Sequence, residues 1–187
     1  MPVRHARSSA ALALLTLGLC PALAAADNAP RDHDRGFLLR LSGGIGSASI
    51  KADASAEPVE LELSGLSGDG NLAIGAVVGH NLAVHGTFWG WSVNDPDLKI
   101  GGVKASTNDL TLRVNAFGPG ITWYFGQNFY LSGSVGAATL TAEVDRASFD
   151  SKTGVAVDLT IGKEWWVSNR WGLGVAAGFG AQSIPTD

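Results

Sequence analysis

The stretch LTLRVNAFGPGITWYFGQNFYLSGSVGA, residues 110–137, decides the fold. Apolar and polar or small side chains alternate through both of its halves, and Gly126-Gln127-Asn128 separates them. Alternation with a period of two is typical of β-strands, and a short break containing glycine and asparagine is typical of a hairpin turn. The stretch therefore predicts two long antiparallel strands that are joined by a tight turn.

The same alternation recurs outward along the chain and predicts seven strands in total. We place them at about residues 35–50, 72–78, 82–90, 110–125, 129–137, 155–161 and 171–179. One face of each strand is apolar, and the other face is polar or small. The titratable residues predicted on the polar face are Arg40, His85, Asp109, Arg113 and Asp158.

Short and long connections alternate between these strands. Tight turns are predicted at 79–81, 126–128 and 168–170, and longer polar gaps at 51–69, 94–107 and 144–152. This asymmetry is typical of the two ends of an outer-membrane barrel, and strands longer than ten residues suit a tilted membrane crossing. Aromatic side chains gather near the strand ends, where a membrane–water interface favours them; we expect this role for Trp89, Trp91, Trp123, Tyr124, Phe129, Tyr130, Trp165, Trp166 and Trp171.

The N-terminal segment has the pattern of an export signal. Arg4 and Arg7 supply a basic start, residues 10–19 are apolar, and small residues up to Ala26 offer a cleavage site. This order is typical of a secretory signal peptide, which we place at residues 1–26. The protein is thus expected to leave the cytoplasm of a Gram-negative bacterium.

The rest of the chain divides into a polar leader at 27–35 and one barrel domain at 36–187. The chain has 187 residues, of which 25 are glycine and 16% are charged, and its net charge is −4. A mildly acidic chain lacks the basic footprint of a nucleic-acid-binding protein. The single cysteine, Cys20, lies in the signal segment, so disulfide and thiol chemistry are not expected in the mature chain.

A family resemblance follows from the string at 118–125, GPGITWYF, and the string at 128–133, NFYLSG. Over about residues 35–184 the chain resembles the small eight-stranded outer-membrane barrels of the OmpA, OmpX and OmpW type. The resemblance implies an antiparallel up-and-down transmembrane β-barrel in the outer membrane. It also implies that the barrel-assembly machinery, outer-membrane lipid and lipopolysaccharide are partners.

The strand number departs from this family, because seven strands are predicted where an even number is expected. A barrel in lipid must close, since an open edge leaves backbone N–H and C=O groups unpaired. We therefore expect that the sequence is a fragment or a truncated product that lacks its eighth strand. The alternatives are closure by residues 59–63 or by an oligomer.

The sequence predicts no enzyme. The histidines outside the signal segment are His33, His80 and His85, and they do not form a metal-ligand or catalytic motif. No metal, cofactor or catalytic residue is expected. The polar-face residues are instead expected to form a paired network inside a barrel that is barely wide enough for its own side chains.

Three functions remain open on this reading. The first is an integral outer-membrane protein with a structural or surface role. The second is a narrow, porin-like channel for small or apolar solutes. The third is a soluble periplasmic barrel that binds a lipid and has its apolar face inside.

Overall fold

The structure, a computed structural model, describes residues 4–9, 13–14, 33, 35–53, 60–100, 103–106, 109–144 and 147–186. No helix in this part of the chain is long and apolar enough to cross a membrane. The regular elements described are all strands: β1 (Arg4–Ser9), β2 (Ala13–Leu14), β3 (Gly36–Asp53), β4 (Glu60–Gly79), β5 (Leu82–Asn94), β6 (Asp97–Ile100), β7 (Val103–Ser106), β8 (Leu110–Phe125), β9 (Phe129–Val144), β10 (Ala147–Asp150), β11 (Gly154–Trp166) and β12 (Gly172–Thr186).

Seven long strands form one antiparallel, barrel-like sheet. Their order is β3, β4, β5, β8, β9, β11 and β12, so each long strand pairs with the next long strand along the chain. This arrangement confirms the prediction of an all-β fold with seven antiparallel strands. Sequential pairing of this kind needs only short connections between neighbours.

The predicted hairpin of β8 and β9 is present, with its pairing interrupted at Gly118 and Pro119. Leu110 pairs with Val144 at one end of the hairpin, and Phe125 pairs with Phe129 at the other. At the turn between β4 and β5, His80 and Asn81 have φ angles of 52° and 61°. Two consecutive positive φ angles match the right-handed twist of the strands that flank a two-residue turn. We call this side of the sheet, with the turns at 80–81, 126–128 and 167–171, the turn end.

The opposite side, called here the loop end, contains more strand than the sequence predicts. β4 begins at Glu60, within the gap predicted at 51–69, and β6, β7 and β10 lie within the other two predicted gaps. Several glycines between 65 and 70 obscure the strand pattern, because glycine is usually depleted in strands. Backbone pairing with β3 and β5 keeps this glycine-rich segment extended.

The two outer long strands, β3 and β12, are connected through the N-terminal segment. β1 pairs with β12 from Arg4–Thr186 to Ser9–Ala181, and its Ala6 and Arg7 pair with β3. Residues 60–63 pair with β3 and with β6. The alternative in which residues 59–63 close the sheet is therefore wrong for the residues described, because that segment extends the second long strand.

In the half of the sheet near the turn end, apolar side chains point outward and polar ones inward. On β8, Phe117, Ile121 and Trp123 are exposed, whereas Thr122 and Tyr124 are buried. The outer face of the sheet carries further exposed large apolar side chains, among them Phe37, Leu39, Ile74, Val84, Phe88, Leu131, Val135, Val157, Leu159, Ile161 and Phe179. This is the reverse of the arrangement in a soluble protein, whose strands bury their apolar face.

Candidate lumen site

The inward positions of β5, β8 and β9 bring small polar side chains to the same level. Thr122 of β8 pairs with Ser132 of β9, and His85 of β5 pairs with Gly120 of β8. Because side chains on neighbouring paired positions point to the same face, these groups converge inside the sheet. Thr122 and Ser132 are almost completely buried, and His85 is buried with them.

Hydrogen bonds link these groups into one chain. Ser134 Oγ donates to Thr87 Oγ1 at 3.1 Å, and Thr122 Oγ1 donates to Ser132 Oγ at 2.9 Å. His85 lies between the two pairs, with Nδ1 2.7 Å from Thr87 Oγ1 and Nε2 2.9 Å from Thr122 Oγ1. In a neutral imidazole one ring nitrogen donates and the other accepts, and a hydroxyl can serve either one. Both ring nitrogens are occupied, so the imidazole belongs to the interior filling.

Arg40 joins this chain from β3. Its guanidinium donates from Nη2 to Ser132 Oγ at 2.7 Å and from Nη1 to Thr122 Oγ1 at 3.3 Å. The guanidinium carbon lies 4.7 Å from the centre of the Tyr130 ring, a distance at which a cation is attracted to an aromatic face. Arg40 therefore connects β3 to the interior of β8 and β9.

Two glycines make room for these side chains. A Cβ atom on Gly120 would lie 2.4 Å from both His85 Cε1 and Ser134 Oγ. A Cβ atom on Gly162 would lie 2.5 Å from Tyr130 Cζ. Such distances are far shorter than van der Waals contact, so a larger residue at either position would displace its neighbour.

A cavity of about 330 Å³ lies beside this chain of hydroxyls, between β3 and β4 on one side and β11 and β12 on the other. Asp158 lines it and accepts from Thr160 Oγ1 at 3.2 Å and from Asn71 Nδ2 at 3.5 Å. Asp69 and Glu164 also line the cavity. The interior thus contains three carboxylates as well as the guanidinium of Arg40.

At the turn end, an aromatic group packs inside the sheet. The ring of His33 stacks on Tyr124 with centroids 3.9 Å apart and lies 5.7 Å from the ring of Trp166. Two hydrogen bonds hold the backbone of His33 to Asn81. The His33 N–H donates to Asn81 Oδ1, and the His33 carbonyl accepts from the Asn81 N–H. The leader was expected as a polar segment, and the structure places this one residue of it against the barrel-like sheet.

At the loop end, the interior is apolar. Trp89 and Val114 belong to one buried cluster, and Ile50 and Leu112 form a second one. Trp91 packs against both clusters. The interior therefore changes from polar in the middle of the sheet to apolar near the loop end.

Two of the five residues predicted for the polar network lie outside the group formed by Arg40, His85 and Asp158. Asp109 is exposed before β8 with a φ angle of 60°, and Arg113 is exposed with Nη1 3.8 Å from Glu143 Oε1. On this part of β8 the inward side chains are Leu112 and Val114. Side chains still alternate between the two faces of β8 here. In this part of the strand, however, the inner face is apolar and the outer face carries charged and amide side chains.

The predicted interface aromatics also divide between the two faces. Those on the outer face are Trp123, Phe129, Trp165 and Trp171, and those inside or packed against the interior clusters are Trp89, Trp91, Tyr124, Tyr130 and Trp166. Position near a strand end is shared by both groups. The alternation within each strand is the signal that separates them.

Several residues of the interior are not among the five that were predicted for the polar network. Thr87, Thr122 and Ser132 are residue types that occur in any strand. Asn71 and Glu164 lie beside glycine or aromatic residues, which dominate the local sequence pattern. What they share is that each lies on the inner face of its strand. That placement requires the pairing of strands, which the sequence alone leaves open.

Among the residues that the structure describes, no group of three or more His, Cys, Asp or Glu side chains could hold a metal ion. No protein-family model and no curated protein matches the chain.

Proposed function

We propose that the chain is an integral outer-membrane β-barrel protein with a structural or surface role, that its interior is closed to solutes, and that it performs no catalysis. The observation that carries this proposal is the continuous apolar outer surface around a polar interior. Exposed aliphatic and aromatic side chains of this number are stable in contact with lipid but not with water. A soluble lipid-binding barrel would have the opposite arrangement.

The height of the apolar surface fits a bilayer. On β9, the outward positions are apolar or glycine from Phe129 to Ala137, and Thr141 and Glu143 follow on the same face. Eight residue steps at about 3.3 Å each, shortened by a strand tilt of about 40°, give roughly 20 Å across the membrane. Outer-membrane barrels have an apolar band about 25 Å high.

The remaining parts of the proposal follow from the direction of the strands and the N-terminal segment. Residues 1–26 would direct export and be removed, and the assembly machinery of the outer membrane would insert the sheet. The loop end, with β6, β7 and β10 beyond the apolar band, would face outward and contact lipopolysaccharide. Long external segments and short periplasmic turns are the usual orientation of such barrels.

Membrane fractionation tests the location. The full chain is expressed in a Gram-negative host, and washed outer membranes are extracted first with alkaline or urea-containing buffer and then with detergent. We expect the protein to stay in the membrane until detergent is added. Release into buffer without detergent would refute the membrane proposal.

A narrow channel is the second candidate, because charged groups, among them Arg40 and Asp158, line the cavity. The apolar clusters around Trp89 and Leu112 at the loop end, and the His33–Tyr124 stack at the turn end, favour a closed interior. Single-channel recording in planar bilayers separates the two candidates. A closed interior predicts no steady conductance, and reproducible unitary currents would favour the channel.

A further inference from the structure

Lys163 lies on the outer face of β11 between the apolar side chains of Ile161 and Trp165. The outward residues before it are Leu159 and Ile161, both about half exposed. Lys163 Nζ lies 4.8 Å from the centre of the Phe129 ring and 5.5 Å from that of the Trp165 ring. A cation within about 6 Å of a ring face is attracted to it, so the two rings hold the ammonium group at the lower border of the apolar surface.

The described charged side chains on the outer surface of the turn end are all basic. Arg35 precedes β3 and Arg170 precedes β12, and both side chains are exposed. Within the described part of the chain, neither of them nor Lys163 forms an ion pair. Glu164, the carboxylate nearest in sequence, lies on the opposite face of β11 and lines the interior cavity.

The loop end has a different charge distribution. Its described acidic residues outnumber the basic ones and form ion pairs with them, as Glu62 does with Lys99 and Glu143 with Arg113. A basic outer rim without counter-charges is therefore a property of the turn end. Such a rim beside an apolar surface complements a molecule that has a negative headgroup and a hydrocarbon chain.

We infer that the outer surface of β11 at the turn end binds the headgroup phosphate of an anionic phospholipid, and that Lys163 is the central contact. The ammonium of Lys163 would pair with the phosphate while the acyl chain packs along Ile161 and Leu159. Arg170 and the exposed indole of Trp171, at the start of the neighbouring strand, would extend the site. This inference rests on the proposed membrane location and names a lipid class for one part of that surface.

Tryptophan quenching by brominated lipids tests the inference. The full chain is reconstituted in vesicles of phosphatidylcholine and phosphatidylglycerol, with bromine on the acyl chains of one lipid at a time. Because Trp165 and Trp171 flank the site, we expect phosphatidylglycerol to quench more strongly than its mole fraction predicts. Lys163→Gln should reduce this preference by about fivefold, the effect of one basic side chain near a lipid surface.

Two further variants make the result specific. Lys163→Arg keeps the charge and should keep the preference. Lys99→Gln removes a lysine from the loop end and should also leave the preference unchanged. An unchanged preference in Lys163→Gln, or equal quenching by both lipids in the unmodified chain, would overturn the lipid site while leaving the membrane proposal intact. Absence of quenching by either lipid would overturn the membrane proposal itself.

Discussion

Thr122 is the residue at which the interior hydrogen bonds meet. Its hydroxyl contacts Arg40 and His85 and donates to Ser132, and the residue has no exposed surface. A buried polar group is stable when its partners are present, and the loss of one partner leaves the others unsatisfied. The Thr122 hydroxyl therefore links the side chains of three strands in the network.

Replacement of Thr122 by valine tests this dependence. The change keeps the side-chain shape and removes the hydroxyl, so we expect the free energy of unfolding to fall by about 1–3 kcal/mol. The measurement is urea unfolding of the reconstituted protein, followed by tryptophan fluorescence. Thr111→Val is the matched control, because Thr111 lies on the same strand and donates to Asn94 at an exposed site. Equal losses for the two variants would contradict the buried network.

Gly120 provides a second test, which concerns the space that neighbouring side chains need and not their hydrogen bonds. Gly120→Ala would place a methyl group 2.4 Å from His85 Cε1 and Ser134 Oγ, and we expect a loss of about 1–3 kcal/mol in the free energy of unfolding. Gly86→Ala is the control, since a Cβ atom there would lie 3.9 Å from the nearest atom, on Phe117. A control as destabilised as Gly120→Ala would show that the strand, and not the contact with His85, requires glycine.

At the scale of single elements, β8 carries two environments along one face. Its outward positions include Phe117, Ile121 and Trp123 near the turn end, and Arg113 and Asn115 near the loop end. In lipid, the first group lies in the hydrocarbon and the second in the headgroups or water. The strand thus marks the upper border of the proposed membrane-embedded surface between residues 115 and 117.

An arginine scan of this face locates that border. Ile121→Arg should lower the free energy of unfolding in lipid vesicles by about 2–4 kcal/mol, the cost of an arginine near the middle of a bilayer, and Phe117→Arg, next to the border, should lower it by less. Asn115→Arg should change it by less than about 1 kcal/mol, since charges near the interface cost little. Similar values at the three positions would be inconsistent with a lipid-facing surface that ends there.

The same strand indicates how far the sequence predicts the fold. Alternation from 110 to 137 predicts the hairpin and its two faces, and the structure has both. Alternation does not state which face is outside, and the assumption that apolar means outward fails at Leu112 and Val114 because the surroundings change along the strand. Of the residues assigned to the polar face, Arg40 and His85 lie inside the sheet, whereas Arg113 is exposed.

At the scale of the whole molecule, the sheet encloses two kinds of interior. The middle contains hydrogen-bonded polar groups around Arg40, and the loop end contains indoles and aliphatic side chains around Trp89. The sequence could not predict this division, because it depends on which strands are neighbours. The register of β4 and β11, for example, determines that Asn71 and Asp158 meet across the cavity.

The junction between β3 and β12 has a consequence for motion. Among the described residues, this edge of β3 meets β1 at Ala6 and Arg7, a contact that the proposed removal of residues 1–26 would abolish, whereas its other edge pairs with β4 from Gly36–Val77 to Asp53–Glu60. Local opening occurs where few backbone hydrogen bonds must break together. The amides of β3 and β12 should therefore exchange with deuterium sooner than those of β8 and β9, whereas uniform protection would contradict this order. The sheet would open transiently along the junction between β3 and β12, and that junction runs beside the cavity that Asp158 lines.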